Sequence, residues 1–335
     1  MPSSRETDPM PGQCCRQCAE PVGRGDRYCE QCGAWVADLW RDRVELDVGV
    51  AAGVSDRGRR HHRNEDALAL RDVGPDLATG PGSAQRGVAV AIVCDGVSSS
   101  ARSSEASETA AEVAAETLVA ALRAEDGPAA ATRAAIHAAN KAVAELADSD
   151  EADSSRADSE GADHPHGVNH ADRAPACTFA SAIVTGNAVT VGWVGDSRAY
   201  WIPQRHTDSV PTRLTKDDSW LAHTLAAGAL SPTQAAADRR AHAITAWLGD
   251  EADQVDPHVV TIEPEGPGVI VVCTDGLWNY LDTVDELSAA LPADALEAPL
   301  DAARRLVEIA LHRGGRDNIT VAVLPFVSHP ASRST

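Results

Sequence analysis

The stretch Val88-Ala-Val-Ala-Ile-Val-Cys-Asp95-Gly96-Val-Ser-Ser-Ser100 decides how the rest of the chain is read. An unbroken apolar run without polar alternation predicts a strand buried on both faces. It stops at Asp95-Gly96, and taken alone an Asp-Gly pair after a strand signals a hairpin turn. The pattern recurs, however. Val269-Ile-Val-Val-Cys-Thr274 runs into Asp275-Gly276, Val189 to Val194 runs into Gly195-Asp196, and Asp317-Asn318 precedes Ile319-Thr-Val-Ala-Val323. Buried strands that deliver carboxylates to their ends collect acidic oxygens at one rim of a sheet. Such carboxylates repel one another unless a cation lies among them, and Mg²⁺ or Mn²⁺ prefers oxygen ligands of this kind.

Composition bounds the alternatives. The 335 residues allow one large domain and a small one. Apolar residues make up 43%, but with two Phe and three Tyr the core must be mainly Val, Ile, Leu and Ala. The formal charge of −21, from 29 Lys and Arg against 50 Asp and Glu, argues against a nucleic-acid or anionic-membrane surface. No run reaches the ~18 apolar residues of a membrane span and no signal-peptide core is seen, so a cytoplasmic protein is expected. A cytosolic setting argues against structural disulfides. Cys94, Cys177 and Cys273, each in or beside an apolar segment, read as reduced core residues.

The other five cysteines crowd the N-terminus. Residues 1–13 are polar and Pro-rich and are expected to be disordered. Then Cys15-Arg-Gln-Cys18 and Cys29-Glu-Gln-Cys32 form two Cys-x-x-Cys pairs around a short Gly-containing segment, the pattern of a structural Zn²⁺ site in a zinc ribbon over 14–36. A redox dithiol would need a βαβ context. Cys14 could replace Cys15 as ligand.

Further on, Val48 to Val54 reads as a strand ending in a basic loop, Arg57-Gly-Arg-Arg-His61-His-Arg63, that finishes in Glu65-Asp66. Ala67 to Leu70 reads as a short strand, and 72–86 as a Gly/Pro loop. Ser103 or Ser104 is placed to cap a helix running to about Arg123, and a second helix starts near Pro128. Residues 148–173 carry acids and histidines but almost nothing apolar, so a disordered acidic insertion is expected. Short strands resume at 178–185, 189–194 and 199–202, two short helices are expected in 218–248, and strands follow at 259–262, 269–274 and 319–324. Leu287 to Leu291 and Leu300 to His312 read as helices, and 328–335 as a disordered tail.

With those residues in view, 45–327 resembles the metal-dependent protein phosphatases of the 2C type in their bacterial form. The resemblance rests on ordered blocks: Ser55-Asp-Arg-Gly58 with Asn64-Glu65-Asp66, Cys94-Asp95-Gly96, Cys177-Thr-Phe-Ala180, Gly195-Asp196-Ser-Arg198, Leu214-Thr-Lys-Asp-Asp-Ser219, Ile244 to Gly249, Cys273-Thr-Asp275-Gly-Leu-Trp278 and Gly315-Arg-Asp317-Asn-Ile-Thr320. It implies an α+β fold, a two-sheet antiparallel β-sandwich flanked by helical pairs. It also implies a serine/threonine protein phosphatase that hydrolyses phosphoserine and phosphothreonine with a water activated by two Mn²⁺ or Mg²⁺ ions. Carried over, Asp95 bridges both ions, Asp275 and Asp317 complete one, and Glu65 and the Gly96 carbonyl serve the other. Asp196 holds a weaker third ion, with Asp66 and Asn318 close by. Partners implied are phosphorylated proteins made by a serine/threonine kinase, with neither nucleic acid nor membrane.

Three positions depart from the family pattern. His61 stands where an arginine usually grips the substrate phosphate, Ser98-Ser99 replaces a Gly-Gly pair, and Cys177 replaces a glycine. If His61 faces solvent instead, Arg59, Arg60 or Arg63 would hold the phosphate. The alternative function is a catalytically weak, phosphatase-like scaffold that binds a phosphoprotein through the ribbon and the acidic rim. A metal nuclease shares the acids but fits neither the charge nor the blocks, and a DNA-reading ribbon is disfavoured, because Arg16, Arg24 and Arg27 are its only basic residues and no aromatic reading face is obvious.

Overall fold

The structure, a computed structural model, describes residues 15, 17–18, 20, 28–34, 42–74, 87–100, 102–157, 174–205, 209–231, 233–234, 238–241, 243–249 and 255–327, with the backbone alone for 148–157. Residues 1–14 and 328–335 therefore lie outside the described set, as do 75–86 and 158–173.

Eleven strands among the described residues form two sheets. The first has the order β1 (Arg43–Asp47), β2 (Ala52–Asp56), β11 (Ile319–Phe326), β10 (Gly268–Cys273), β7 (Arg198–Pro203), β8 (Thr212–Arg213). The second runs β3 (Asp66–Asp72), β4 (Ala89–Asp95), β5 (Phe179–Val184), β6 (Val189–Val194), β9 (His258–Ile262). Every pairing is antiparallel. Helices α1 (Ser103–Arg123) and α2 (Pro128–Ala157) cover the second sheet, while α4 (Asp275–Trp278), α5 (Val284–Ala290) and α6 (Pro299–His312) cover the first. A short α3 (Trp220–Ala226) lies in the segment between β8 and β9.

This layering explains the unbroken apolar runs. In β4, Val90, Ile92 and Cys94 pack outward under α1 and α2, while Ala89, Ala91 and Val93 pack inward between the sheets. In β10, Val269, Val271 and Cys273 meet α4 to α6, and Ile270 and Val272 face the other sheet. Alternate residues thus enter different cores, and neither face of these strands meets water. Alanines at 91, 180, 182 and 322 line the inter-sheet core, which suits a chain so poor in Phe and Tyr. Thr283 and Glu286 close a capping box on α5, and Pro299 opens α6.

Several local expectations are corrected. The strand expected at Val48 to Val54 straddles a hairpin: β1 ends at Asp47, whose Oδ1 accepts the Gly49 amide, and Gly49 turns with φ +79°. Neither Ser103 nor Ser104 caps α1. Arg102 holds the cap position in the left-handed region (φ 55°, ψ 33°) without a side-chain cap bond, and its guanidinium reaches Glu105 instead. The acidic insertion expected from residue 148 begins as helix, because α2 continues to Ala157. Of the two helices expected in 218–248, α3 is present, but the second is not: among the described residues only 233–234 are helical, and 238–241 and 243–248 run as bends, turns and isolated bridges. Asp95-Gly96 leads to a turn and α1 rather than a hairpin, and Asp275-Gly276 opens α4. No helix among the described residues is long and apolar enough to cross a membrane.

Candidate metal centre

Asp66 begins β3 and Asp95 ends β4, and they are direct cross-strand partners. Asp275 follows β10 after one residue, and Asp317 precedes β11 by one residue. The strand ends bring all four to one rim. Burial first, then the charges of Asp66, Asp275, Asp196 and Asp317, oppose ionisation of Asp95, whose pKa stands well above the usual carboxylate range. Burial first, then Asp317, does the same to Asp275. Burial pushes Asp66 up to about 7 and Asp196 up to about 6. Like charges this close persist only when protonated or neutralised by cations.

The residues fit divalent ions on their own terms. Asp66 Oδ1 and Asp275 Oδ1 are buried without a hydrogen-bond partner, a costly state unless something else occupies those lone pairs. All the candidate donors are hard oxygens.

A polar scaffold aims them. Asp66 Oδ2 accepts from the hydroxyls of Thr274 (2.9 Å) and Thr320 (2.7 Å). Because the Thr320 proton points at Asp66, Ser55 Oγ donates to Thr320 at 2.7 Å, and Asn64 donates to Ser55 at 2.8 Å. Asn318 Oδ1 accepts the Glu65 amide at 2.8 Å, while its Nδ2 donates to the carbonyls of Arg57 and Arg63. The Gly96 amide (3.1 Å) and the Ser107 hydroxyl both donate to the Glu65 carbonyl, which seats Gly96 and Glu65 at the same edge of the cluster. Close approach requires two glycines here. A Cβ on Gly58 would lie 2.1 Å from the Asp317 carbonyl oxygen, and one on Gly276 would lie 1.8 Å from that of Asn318.

Asp196 sits on the turn between β6 and β7, which two consecutive acids hold in place. Asp217 takes the Arg198 guanidinium in a two-point fork at 3.0 and 2.8 Å, and Arg198 stacks 3.6 Å over Trp278. Asp218 Oδ2 accepts the Gly195 amide at 3.0 Å, and Oδ1 meets His258 Nε2 at 2.9 Å. Trp278 donates its indole N–H to the Asp196 carbonyl. The sequence blocks contained Arg198, Asp217, Asp218, Thr274 and Thr320 but assigned them no role, and His258 lay outside them. No local spacing could reveal His258, since its partner is 40 residues back across the β6–β9 pairing.

His61 Nε2 lies 3.1 Å from Asp317 Oδ1, so the histidine does stand at the rim. Arg63 pairs with Glu65 at 3.1 Å, whereas Arg59 and Arg60 are exposed. Cys94, Cys177 and Cys273 are free and fully buried.

The N-terminal thiols make a second group. The sulfurs of Cys15, Cys18, Cys29 and Cys32 all lie within 4.8 Å of one another, with Cys15–Cys32 and Cys18–Cys29 at 3.5 Å. A tetrahedron with Zn–S bonds of ~2.3 Å has S···S edges of ~3.8 Å, so the set suits that ion. The Gln17 amide, which reaches Cys15 Sγ at 3.4 Å, is the largest influence on the Cys15 thiol and brings it down to about 7. Cys14 lies outside the described residues.

Comparison with known proteins follows the same lines. The sequence pattern of the Protein phosphatase 2C family matches residues 63–302. The chain is 30% identical over 155 residues to the serine/threonine protein phosphatase PstP of Mycobacterium tuberculosis, covering 45% of this chain and 28% of that protein. It is 30% identical over 161 residues to the protein phosphatase PhpP of Streptococcus pneumoniae, covering 48% and 62%. The chain thus spans less than two thirds of the length of these curated relatives. The crystal structure of the M. tuberculosis PstP/Ppp phosphatase superposes with a TM-score of 0.56 at 25% identity, covering 85% of this chain and all (100%) of that one. A PstP catalytic-domain structure in complex with two manganese ions gives 0.54 at 26% identity, covering 86% and 100%. With the family pattern matched over most of its length, on a two-sheet scaffold, this chain belongs to the protein phosphatase 2C family.

Proposed function

We propose that this protein is a serine/threonine protein phosphatase that hydrolyses phosphoserine and phosphothreonine in other proteins with the help of two Mn²⁺ or Mg²⁺ ions. The observation that carries the reading is the rim of acids at Asp66, Asp95, Asp275 and Asp317, the first three with burial opposing their charge and two of those with orphaned oxygens. In this reading Asp95, Asp275, Asp317, Glu65 and the Gly96 carbonyl would hold the two ions. Asp196 serves a weaker third ion. Asp66 and Asn318 hold the cluster in register, as their hydrogen bonds to Thr274, Thr320 and the Glu65 amide indicate. When bound, two such ions would supply charge neutralisation for phosphoryl oxygens and a lowered pKa for a water between them. His61, at the rim beside Asp317, is the candidate phosphate contact.

The same proposal divides the chain into a ribbon over 14–36 that holds one structural Zn²⁺ and a phosphatase domain over 45–327. The substrates are products of a serine/threonine kinase in the cytoplasm, and neither nucleic acid nor membrane is a partner, in keeping with the charge of −21. The test is Mn²⁺-dependent turnover of a phosphothreonine peptide by the wild type and by Asp95→Asn and Asp275→Asn. Both variants should lose more than about 100-fold, beyond the 10–100-fold typical of residues that only support a ligand. Activity within a few-fold of wild type in either would refute the assignment.

A further inference from the structure

The β2–β3 loop is where this acidic chain concentrates basic residues: Arg57, Arg59, Arg60, His61, His62 and Arg63 fall within seven residues. Its position is set by bonds to the segment that carries Asp317. The Arg59 amide donates to the Gly315 carbonyl at 2.7 Å, Asn318 clasps the Arg57 and Arg63 carbonyls, and Gly58 packs on the Asp317 backbone. The loop is therefore a lip of the carboxylate cluster.

Its basic residues divide by what they touch. Arg57 pairs with Asp42 at 3.0 Å and its guanidinium also reaches the His61 carbonyl. Arg63 pairs with Glu65, and His61 with Asp317. Arg59, Arg60 and His62 are exposed and make no side-chain ion pair or hydrogen bond among the described residues, and the same holds for Arg316 on the adjoining segment. Around the β6–β7 turn, by contrast, the charges are paired, with Arg198 held by Asp217 and Asp282. A peptide lying on the rim therefore meets an unpaired basic lip on the β2–β3 side.

We propose that the β2–β3 lip, with Arg316, docks anionic residues that flank the phosphorylated one, so that preferred substrates carry Asp, Glu or a second phosphate on one side of the scissile group. This rests on the phosphatase reading above and adds a substrate class to it. Exposed rim charges act on encounter and selectivity more than on the reacting atoms, so the preference appears in kcat/KM and fades with salt.

The experiment compares otherwise identical phosphothreonine peptides. Their flanks are neutral, lysine-rich, aspartate-rich before the phosphothreonine, aspartate-rich after it, or doubly phosphorylated, and p-nitrophenyl phosphate serves as the flank-free control. At low salt one of the two aspartate peptides should exceed the lysine peptide by about tenfold in kcat/KM, the lower end of electrostatic steering. The doubly phosphorylated peptide should exceed the lysine peptide as well. In Arg60→Glu combined with Arg316→Glu the aspartate-to-lysine ratio should fall to one or below. Equal turnover of all peptides, or a ratio the double reversal leaves intact, overturns the proposal. Absence of turnover by the wild type on every substrate, the control included, overturns the phosphatase reading instead. Anisotropy of labelled peptides on Mn²⁺-loaded protein then ranks the same flanks without catalysis, and equal binding overturns the lip.

Discussion

Asp66 commits one carboxylate oxygen to two threonine hydroxyls and leaves the other without a partner. That division makes Thr320 a residue whose side chain matters more than its size. Thr320→Val keeps the shape within β11 but removes a donor to Asp66 and strands the Ser55 hydroxyl at the head of the Asn64–Ser55 chain. The expected loss of stability is about 1–3 kcal/mol, the cost of leaving a buried polar group unsatisfied. Thr320→Ser, which keeps the hydroxyl, should recover most of it. Urea denaturation of the three proteins measures this, and a Val variant as stable as wild type would show that the relay contributes nothing.

Two elements carry predictions of their own. The turn from β6 to β7 is held by a buried ion pair, with Arg198 only 5% exposed. Burial opposes the charge on Arg198, yet the Asp217 fork outweighs it and raises the guanidinium pKa. Asp217→Ala removes one partner and leaves the buried guanidinium with the more distant Asp282 at 3.4 Å and Tyr200 at 3.5 Å. Breaking such a pair from one side costs about 3–5 kcal/mol, which a thermal or urea melt would show. A change within about 0.5 kcal/mol, ordinary for a surface substitution, would contradict the fork's importance. For the ribbon, purified protein should carry one tightly held Zn²⁺ per chain, lost in Cys29→Ser with Cys32→Ser. Turnover of a small phosphopeptide should persist, because four thiolates leave no open coordination position for chemistry. Elemental analysis and thiol titration check it.

Across the fold, the acid rim makes stability depend on pH in a direction that metal removal should expose. The folded values of about 7 for Asp66 and about 6 for Asp196 exceed the ~3.9 of an unfolded aspartate. The native state thus binds more protons than the unfolded chain between these values, and the slope of stability with pH is negative there. Metal-free protein should lose Tm as pH rises from about 4 to about 7, from the unfolded value to the higher of the two folded ones. Saturating Mn²⁺ should abolish the decline, because the cations take over the role of the protons. Scanning calorimetry with and without Mn²⁺ tests this. A metal-free Tm that stays level or rises over the window would be evidence against the coupled cluster.

Much of this architecture was legible along the chain: the strands that end in aspartate, the helices of each flank, the four-thiolate spacing and, through the ordered family blocks, the two-sheet class. All but the last are local signals: apolar runs of strand length, helical periodicity, and cysteines two residues apart. Boundaries were less legible. The Asp47–Gly49 turn hides inside an apolar stretch, and the helical start of the acidic segment follows from continuation of α2, which composition alone argues against. Other features exist only once the sheets have packed: which oxygen of Asp66 is occupied, that Asp218 reaches His258, and that the β2–β3 loop docks on the segment carrying Asp317. The physical reason is distance along the chain. Thr274, just past the end of β10, and Thr320 in β11 converge on Asp66 from the opposite sheet, and no periodicity along either segment records a hydrogen bond made across the sandwich.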